Sequence, residues 1–341
     1  MAVNKVEFIS SHGRGFNTDL KIIKEYLFNN VDDIKFDFFI GKDNAKNPFY
    51  AKGVRKARAE FNKSVSNVIC MDGSLPAKLN KNFDNTNRIL FSVPFDYQFK
   101  IGYYLIKNGK FNEKKTFKNF THIFPGSKFG EELLNQVFVN DAKIIKDVEL
   151  PFNWLVDYGN KKEYFKTKFE YYFPKMKGKK VISIVTNSLK STNDIKLKCD
   201  LKGFLDRLSD DWFVLTNNYS LFNQASQLDE KYTEKFGYVN IFIPLQWVMC
   251  FTDCLLTNVG RYATVFASTG NPVYCLNFMK NYFEKYVKSI YPTMFINSLD
   301  DFNKEYLDNH DEIEDIKKFV DMFSYNSPVS PGKKLVEIIN E

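Results

Sequence analysis

Short apolar runs rich in β-branched and aromatic residues alternate along this chain with longer segments of helical period. In the first half the strand-like runs are residues 6–10, 34–40, 68–71, 89–93, 122–124 and 144–148. Helical patterns at 19–28, 50–62 and 131–137 lie between them. In the second half the runs fall at 180–185, 212–216, 239–243, 254–257, 272–276 and 294–296, with helical patterns at 195–208, 261–268 and 280–289. Such βα alternation predicts α/β architecture, with parallel sheets covered by helices on both faces. The rhythm breaks once, at 151–179, where a basic aromatic segment precedes Pro174 and a Lys-Gly-Lys-Lys turn. In that segment Tyr164, Phe165, Phe169, Tyr172 and Phe173 are spaced for one apolar helical stripe. The break divides the expected lobes, both Rossmann-like: 1–150, then 151–325. Residues from 300 on read as successive helices, and 326–341 is expected to form a last one that packs back across the lobes.

Length agrees with that division, since 341 residues give room for two cores. Hydrophobic residues make up 44% of the chain, so burial is not limiting. No apolar run reaches the roughly 18 residues that span a bilayer. The longest, 241–251, is interrupted by Pro244 and Gln246. The first 13 residues lack the pattern of a secretory leader, so the expected location is the cytoplasm. Cys250 and Cys254 have no second pair or nearby His to complete a metal site, and the five cysteines read as small hydrophobes. The net charge of +7 is concentrated: residues 100–118 hold six Lys against one Glu, and 161–180 hold eight Lys against two Glu. The plain reading is two solvated faces; the sharper one is a peripheral contact with anionic lipid or an anionic polymer at the inner membrane face. No nucleic-acid motif accompanies the charge, so nucleic acid is not an expected partner.

Two strand-to-helix turns carry candidate chemistry. The first is 10–17, where Gly13 and Gly15 let the backbone turn closely around a ligand and Arg14 adds a charge for an anion. His12, in the same turn, is a candidate base. The second is 252–274, which reads as strand, polar turn, helix, Gly-Asn-Pro turn and strand. Amides opening the helix near Gly260 would face the carboxyl edge of a parallel sheet, where a diphosphate gains hydrogen bonds and the helix dipole. Arg261 can fork onto phosphate oxygens, while Asn258 and Thr264 offer neutral hydrogen bonds. Lys128, near another helix start, is a further phosphate candidate. The turn at 72–76 is a weaker one, and Phe95, Tyr97 and Phe99 read as packing.

The second segment resembles the donor-binding motif of the CDP-glycerol glycerophosphotransferase family, the teichoic-acid primases and polymerases. The likeness rests on Thr252-Asp253-Cys254-Leu255-Leu256-Thr257-Asn258, the helix after it, and Asn271-Pro272-Val273-Tyr274. The opening is also similar to that family's entry to its catalytic domain, in Phe8-Ile9-Ser10-Ser11-His12-Gly13 and Lys24-Glu25-Tyr26-Leu27. The resemblance runs in matching order over roughly residues 6 to 280. It implies a GT-B fold and transfer of glycerol phosphate, or a related polyol phosphate, from a CDP-activated donor. The implied acceptor is a lipid-linked or polymeric cell-surface glycan precursor. No cofactor is implied, and Mg²⁺ stays open. This sequence departs from the family where its first-lobe His would stand. The corresponding run, 88–96, has no His, and Asp96 is the candidate base, with His12 or His122 as alternatives. A second family His is replaced by the run 212–218, where Thr216 and Asn217 are expected to meet the donor. Val259 and Gly260 stand where the family has paired Ser. These departures keep two alternatives open: a GT-B glycosyltransferase using a nucleotide sugar, and a non-catalytic subunit of the same fold.

Overall fold

The computed structural model describes residues 5–10, 18–40, 66–70, 86–91, 93, 95–111, 117, 120–137, 142–148, 161–186, 200–240, 243, 245–267, 269–277, 281–302, 306–307, 314–323 and 329–341. The chain divides into two compact units, Met1–Phe152 with Tyr325–Glu341, and Asn153–Ser324.

In the first unit the order is β1 (Lys5–Ser10), α1 (Thr18–Asn30), β2 (Lys35–Ile40), β3 (Asn67–Cys70), β4 (Asn87–Leu90) and α2 (Phe95–Asn108). Then come β5 (His122–Ile123), α3 (Lys128–Val137) and β6 (Lys143–Ile144). The strands form one sheet in the order β2-β1-β3-β4-β5-β6, and every pairing is parallel. Ile9, Val68, Cys70, Leu90 and Ile123 project from one face of it and pack with Val93, Phe117, Phe120 and Leu134 into the core.

The second unit begins with α4 (Lys162–Tyr172), β7 (Lys180–Val185), α5 (Leu201–Arg207), β8 (Trp212–Thr216), α6 (Tyr219–Ala225), α7 (Glu230–Thr233) and β9 (Phe236–Tyr238). It continues with α8 (Leu245–Met249), β10 (Cys254–Thr257), α9 (Gly260–Ala267), β11 (Val273–Leu276), α10 (Tyr282–Ile290), β12 (Phe295–Ile296) and α11 (Glu314–Phe323). Its sheet is again parallel throughout, in the order β12-β11-β10-β7-β8-β9. The inner strands β10 and β11 are buried at every position, as expected of strands covered on both faces. The last helix, α12 (Pro331–Asn340), returns to the first unit. There it packs on α1, accepts a 2.9 Å bond from Asn87 Nδ2 at the Ile338 carbonyl, and follows a parallel bridge between Val148 and Val329. No helix among the described residues is long and apolar enough to cross a membrane.

Three local expectations change. The strand placed at 239–243 lies three residues earlier, as β9, because Tyr238 pairs with Thr216 and a turn bond from Ile243 N to Asn240 O follows. Gly237 inside β9 is a close-approach glycine: a Cβ there would meet Leu215 and the Phe173 ring at 2.8 Å. The continuous helix expected over 300–307 is instead a 3₁₀ turn, Leu299–Asp301, held by a capping box between Ser298 and Asp301, with Tyr306 and Leu307 helical beyond it. Finally, α2 occupies a segment read only as packing residues and basic surface. The helical pattern expected at 50–62 falls outside the described residues.

Candidate functional site

The chain enters the second sheet at β7, adds β8 and β9 on one side, then crosses to add β10, β11 and β12 on the other. The order therefore reverses between β7 and β10. Beyond the carboxyl ends of two such strands an open α/β sheet leaves a crevice, because the connecting segments diverge to opposite faces. A threonine stands at the end of three neighbouring strands: Thr186 just after β7, Thr216 in β8 and Thr257 in β10, the last two followed by Asn217 and Asn258. Each follows a run of buried aliphatic residues, so a polar group appears abruptly at the sheet edge.

The two flanking threonines are held alike. Thr216 Oγ1 donates to the Ile184 carbonyl at 2.8 Å and accepts from Asn218 N at 3.0 Å. Thr257 Oγ1 donates to the Val185 carbonyl at 2.7 Å and accepts from Val259 N at 3.0 Å. Both hydroxyls thus pin the end of β7 and tighten the turn that follows. Asn217 spends both ends of its amide on Thr186, accepting from its N–H at 2.8 Å and donating to its carbonyl at 2.9 Å. Asn218 caps α6 by accepting from Leu221 N, and donates to Thr186 Oγ1 at 3.0 Å. Thr216 and Asn217, expected from the sequence to meet a donor, make these bonds within the protein at the sheet edge.

Beyond β10, Asn258 is fully buried and α9 opens at Gly260. The first helical bonds run from Tyr262 N and Ala263 N to the Val259 carbonyl, so the amides of Gly260 and Arg261 stand ahead of them. Val259, Arg261 and Tyr262 keep partial exposure at this end, while residues 263–267 are buried. Thr264 is turned inward: its hydroxyl donates to the Arg261 carbonyl at 3.0 Å, within the helix. Asn281, which the sequence did not single out, joins the next helix to the site. Its Nδ2 donates to the Asn258 carbonyl at 2.8 Å, and its Oδ1 accepts from Glu284 N at 2.8 Å to cap α10. The signal that could have found the edge residues is the thrice-repeated Thr-Asn behind aliphatic runs; nothing local marks Asn281 beyond its capping pattern.

The first-unit candidates are placed in part. His12, Gly13, Arg14 and Gly15 lie outside the described residues, as does the turn at 72–76. Asp96 stands in the first turn of α2, and Lys128 is the exposed first residue of α3. A buried polar clamp joins these two helix starts. Gln98 Nε2 donates to the carbonyls of Val93 and Pro125 at 2.8 and 2.9 Å, and Ser127 Oγ donates to Gln98 Oε1 at 3.0 Å. Ser127 Oγ also accepts from Gly130 N, capping α3. His122 is buried on β5, bonded to Thr121 Oγ1 at 2.9 Å, and burial followed by the Lys143 charge lowers its pKa. The described cysteines are buried; burial pushes the Cys250 thiol up to about 12 and Cys254 higher still, so neither is a nucleophile at neutral pH.

No protein-family model matches the chain. No curated protein matches it in sequence. Solved structures do match it in fold. The wall teichoic acid polymerase TagF superposes with a TM-score of 0.67 and 17% identity, over 100% of this chain and 89% of that one. The putative UDP-N-acetylglucosamine 2-epimerase of Listeria monocytogenes does so with a TM-score of 0.57 and 14% identity, over 99% and 95% of the two chains. For the UDP-GlcNAc 2-epimerase of Neisseria meningitidis bound to UDP-GlcNAc the TM-score is 0.56 and the identity 12%, over 99% and 100%. At these identities the likeness is one of fold: the chain has the two-sheet α/β fold of the GT-B type that TagF and these epimerases share.

Proposed function

We propose that this chain is a transferase that takes glycerol phosphate, or a related polyol phosphate, from a CDP-activated donor and delivers it to a hydroxyl of a cell-surface glycan precursor. The observation that carries this reading is the convergence at the β7/β10 reversal of the Thr-Asn strand ends and the start of α9 with its half-exposed Arg261. A diphosphate there would accept from the leading amides of α9 and from the Arg261 guanidinium, with the helix dipole opposing its charge. TagF structures include one soaked with CDPG, which supports the choice of donor class. In the reaction, the acceptor oxygen forms a bond to the β-phosphorus. The bond from that phosphorus to the bridging oxygen breaks, and CMP leaves with the electron pair. A general base takes the acceptor's proton, Asp96 and His12 being the candidates read from the sequence, and Arg261 with the α9 amides offsets the charge that grows on CMP. The reading requires no cofactor and is compatible with Mg²⁺.

A second reading, transfer of a sugar from a nucleotide sugar, draws support from the epimerase likeness, one of those enzymes being bound to UDP-GlcNAc. A thermal-shift panel separates the two. Stabilisation by CDP-glycerol or CDP-ribitol favours the first, and by UDP- or GDP-sugars the second. Arg261→Ala should weaken binding of the stabilising nucleotide about 10- to 100-fold by calorimetry, the range of a charge-assisted phosphate contact. Equal affinity in wild type and variant, or stabilisation by no nucleotide, refutes the assignment.

A further inference from the structure

Helix α4 has two faces of opposite character. Phe165 and Phe169 turn inward, the first stacked on Trp247 at 5.2 Å and the second tilted against Phe251 at 5.0 Å. Tyr164, Tyr171 and Tyr172 turn outward and are 54%, 82% and 69% exposed. The expected single stripe is thus only its phenylalanine half. Positions 164, 168, 171 and 172 follow a four-then-three helical spacing, so the tyrosines share one face with Lys168, whose Nζ lies 4.5 Å from the Tyr164 ring. Glu163 and Glu170, the two acids of the stretch, fall to the side of that face. The turn after the helix continues the charge with exposed Lys175, Lys177 and Lys180. Lys162 and Lys175 are tied to Asp253 and Glu234 within the unit.

The other basic stretch is the internal contrast. On α2, Lys107 and nearby Lys110 are exposed, but Tyr103 and Tyr104 are half-buried, edge-on to each other and, for Tyr104, tilted against Phe111. The described tyrosines of that stretch therefore do not stand out between its lysines. On α4 the aromatic rings stand out between the lysines, where water gives them nothing for their apolar area. A tyrosine has an apolar ring and a wet hydroxyl, which suits the headgroup level of a bilayer, and lysine stems lie along the same level while their ammonium groups reach phosphates.

We infer that the Tyr164–Lys168–Tyr171–Tyr172 face of α4, with Lys161 and the Lys175–Lys180 turn, docks on an anionic lipid surface. Charge complementarity selects anionic over neutral lipid, the amphipathic rings suit a lipid interface, and single-stranded nucleic acid, whose bases can also stack on such rings, is the rival that the competition arm of the test separates. The surface acts independently of whatever the β7/β10 edge binds.

The test is flotation of the full chain with vesicles of phosphatidylcholine alone or mixed with phosphatidylglycerol, at about 50 and 500 mM salt. Wild type should float with the mixed vesicles at low salt and be released at high salt. Combined Lys161→Glu, Lys168→Glu and Lys177→Glu should reduce binding at least tenfold, since each Lys near an anionic surface raises partitioning about fivefold. The single change Tyr171→Ser, which removes the most exposed ring, should reduce it measurably while leaving the unfolding temperature unchanged. The same reversal of Lys107 and Lys110 should have little effect. Wild type that fails to float at low salt, or floats equally with neutral vesicles, overturns the inference. So does binding that Tyr171→Ser leaves intact while single-stranded RNA competes the vesicles away.

Discussion

Thr216 and Thr257 make the same pair of hydrogen bonds on either side of β7, and each costs the site a hydroxyl that could have met a ligand. A side-chain hydroxyl at a strand end has close at hand a carbonyl of the adjacent strand and an amide two residues on; satisfying both is worth more than waiting for a ligand. That is why Thr216, Asn217 and Thr264 were legible as polar residues near the edge, while their partners were not: Ile184, Thr186 and, in the helix, the Arg261 carbonyl are set by pairing and turn geometry. Asn281 is the residue on which these bonds make the sharpest prediction. Asn281→Ala removes both the α10 cap and the bond to the Asn258 carbonyl, and should cost about 1–2 kcal/mol in urea unfolding. Asn281→Asp keeps the capping oxygen and loses the donor. It should therefore retain most of the stability yet bind the donor nucleotide several-fold more weakly by calorimetry. Equal affinity in Asn281→Asp and wild type would show that the turn before α9 does not need this tether.

Among elements, the strands with the cleanest apolar runs were the most legible. β7, β8 and β10 lie where the pattern put them, because a strand buried on both faces leaves a nearly continuous apolar signature. β9 was misplaced because Gly237 adds no side chain to the apolar pattern, while the close approach of Leu215 and Phe173 that requires it is made between distant segments. α2 was missed for a related reason. Its buried side includes Gln98 and Gly102, so the helical stripe is interrupted by a polar residue whose three-way clamp exists only in the folded unit. The C-terminal helix was legible, and its seat was not. On α12, a Cβ at Gly332 would press into the Tyr26 ring of α1. Gly332→Ala should therefore destabilise by about 1–3 kcal/mol, overpacking outweighing the gain in helix propensity near a helix start. Combining it with Tyr26→Leu should recover part of that loss in denaturant unfolding; additive losses would place the strain elsewhere.

At the scale of the whole molecule, the first sheet contains a buried acid that makes its stability depend on pH. Glu7 on β1 pairs in register with Asp37 on β2, and burial, with the Asp37 charge second, raises its pKa from 4.5 to about 7. Below the ordinary value the carboxyl is protonated in both folded and unfolded chains and costs nothing. Between 4.5 and about 7 the unfolded chain ionises while the folded one holds its proton, so stability falls as pH rises. The loss levels off above about 7 and is on the order of 3 kcal/mol. Glu7→Gln should flatten this slope between pH 5 and 8 in the transition that unfolds the first unit, and an unchanged slope would assign it to other groups. The sequence by itself determined the α/β class, the parallel sheets and the polar strand ends, because periodicity and the chemistry of a strand's last residue are local properties. Tertiary structure decided the rest. Strand order depends on which segments pair across long separations. That order, β12-β11-β10-β7-β8-β9, is what brings Thr257 and Thr216 to either side of the end of β7 and opens the sheet edge there.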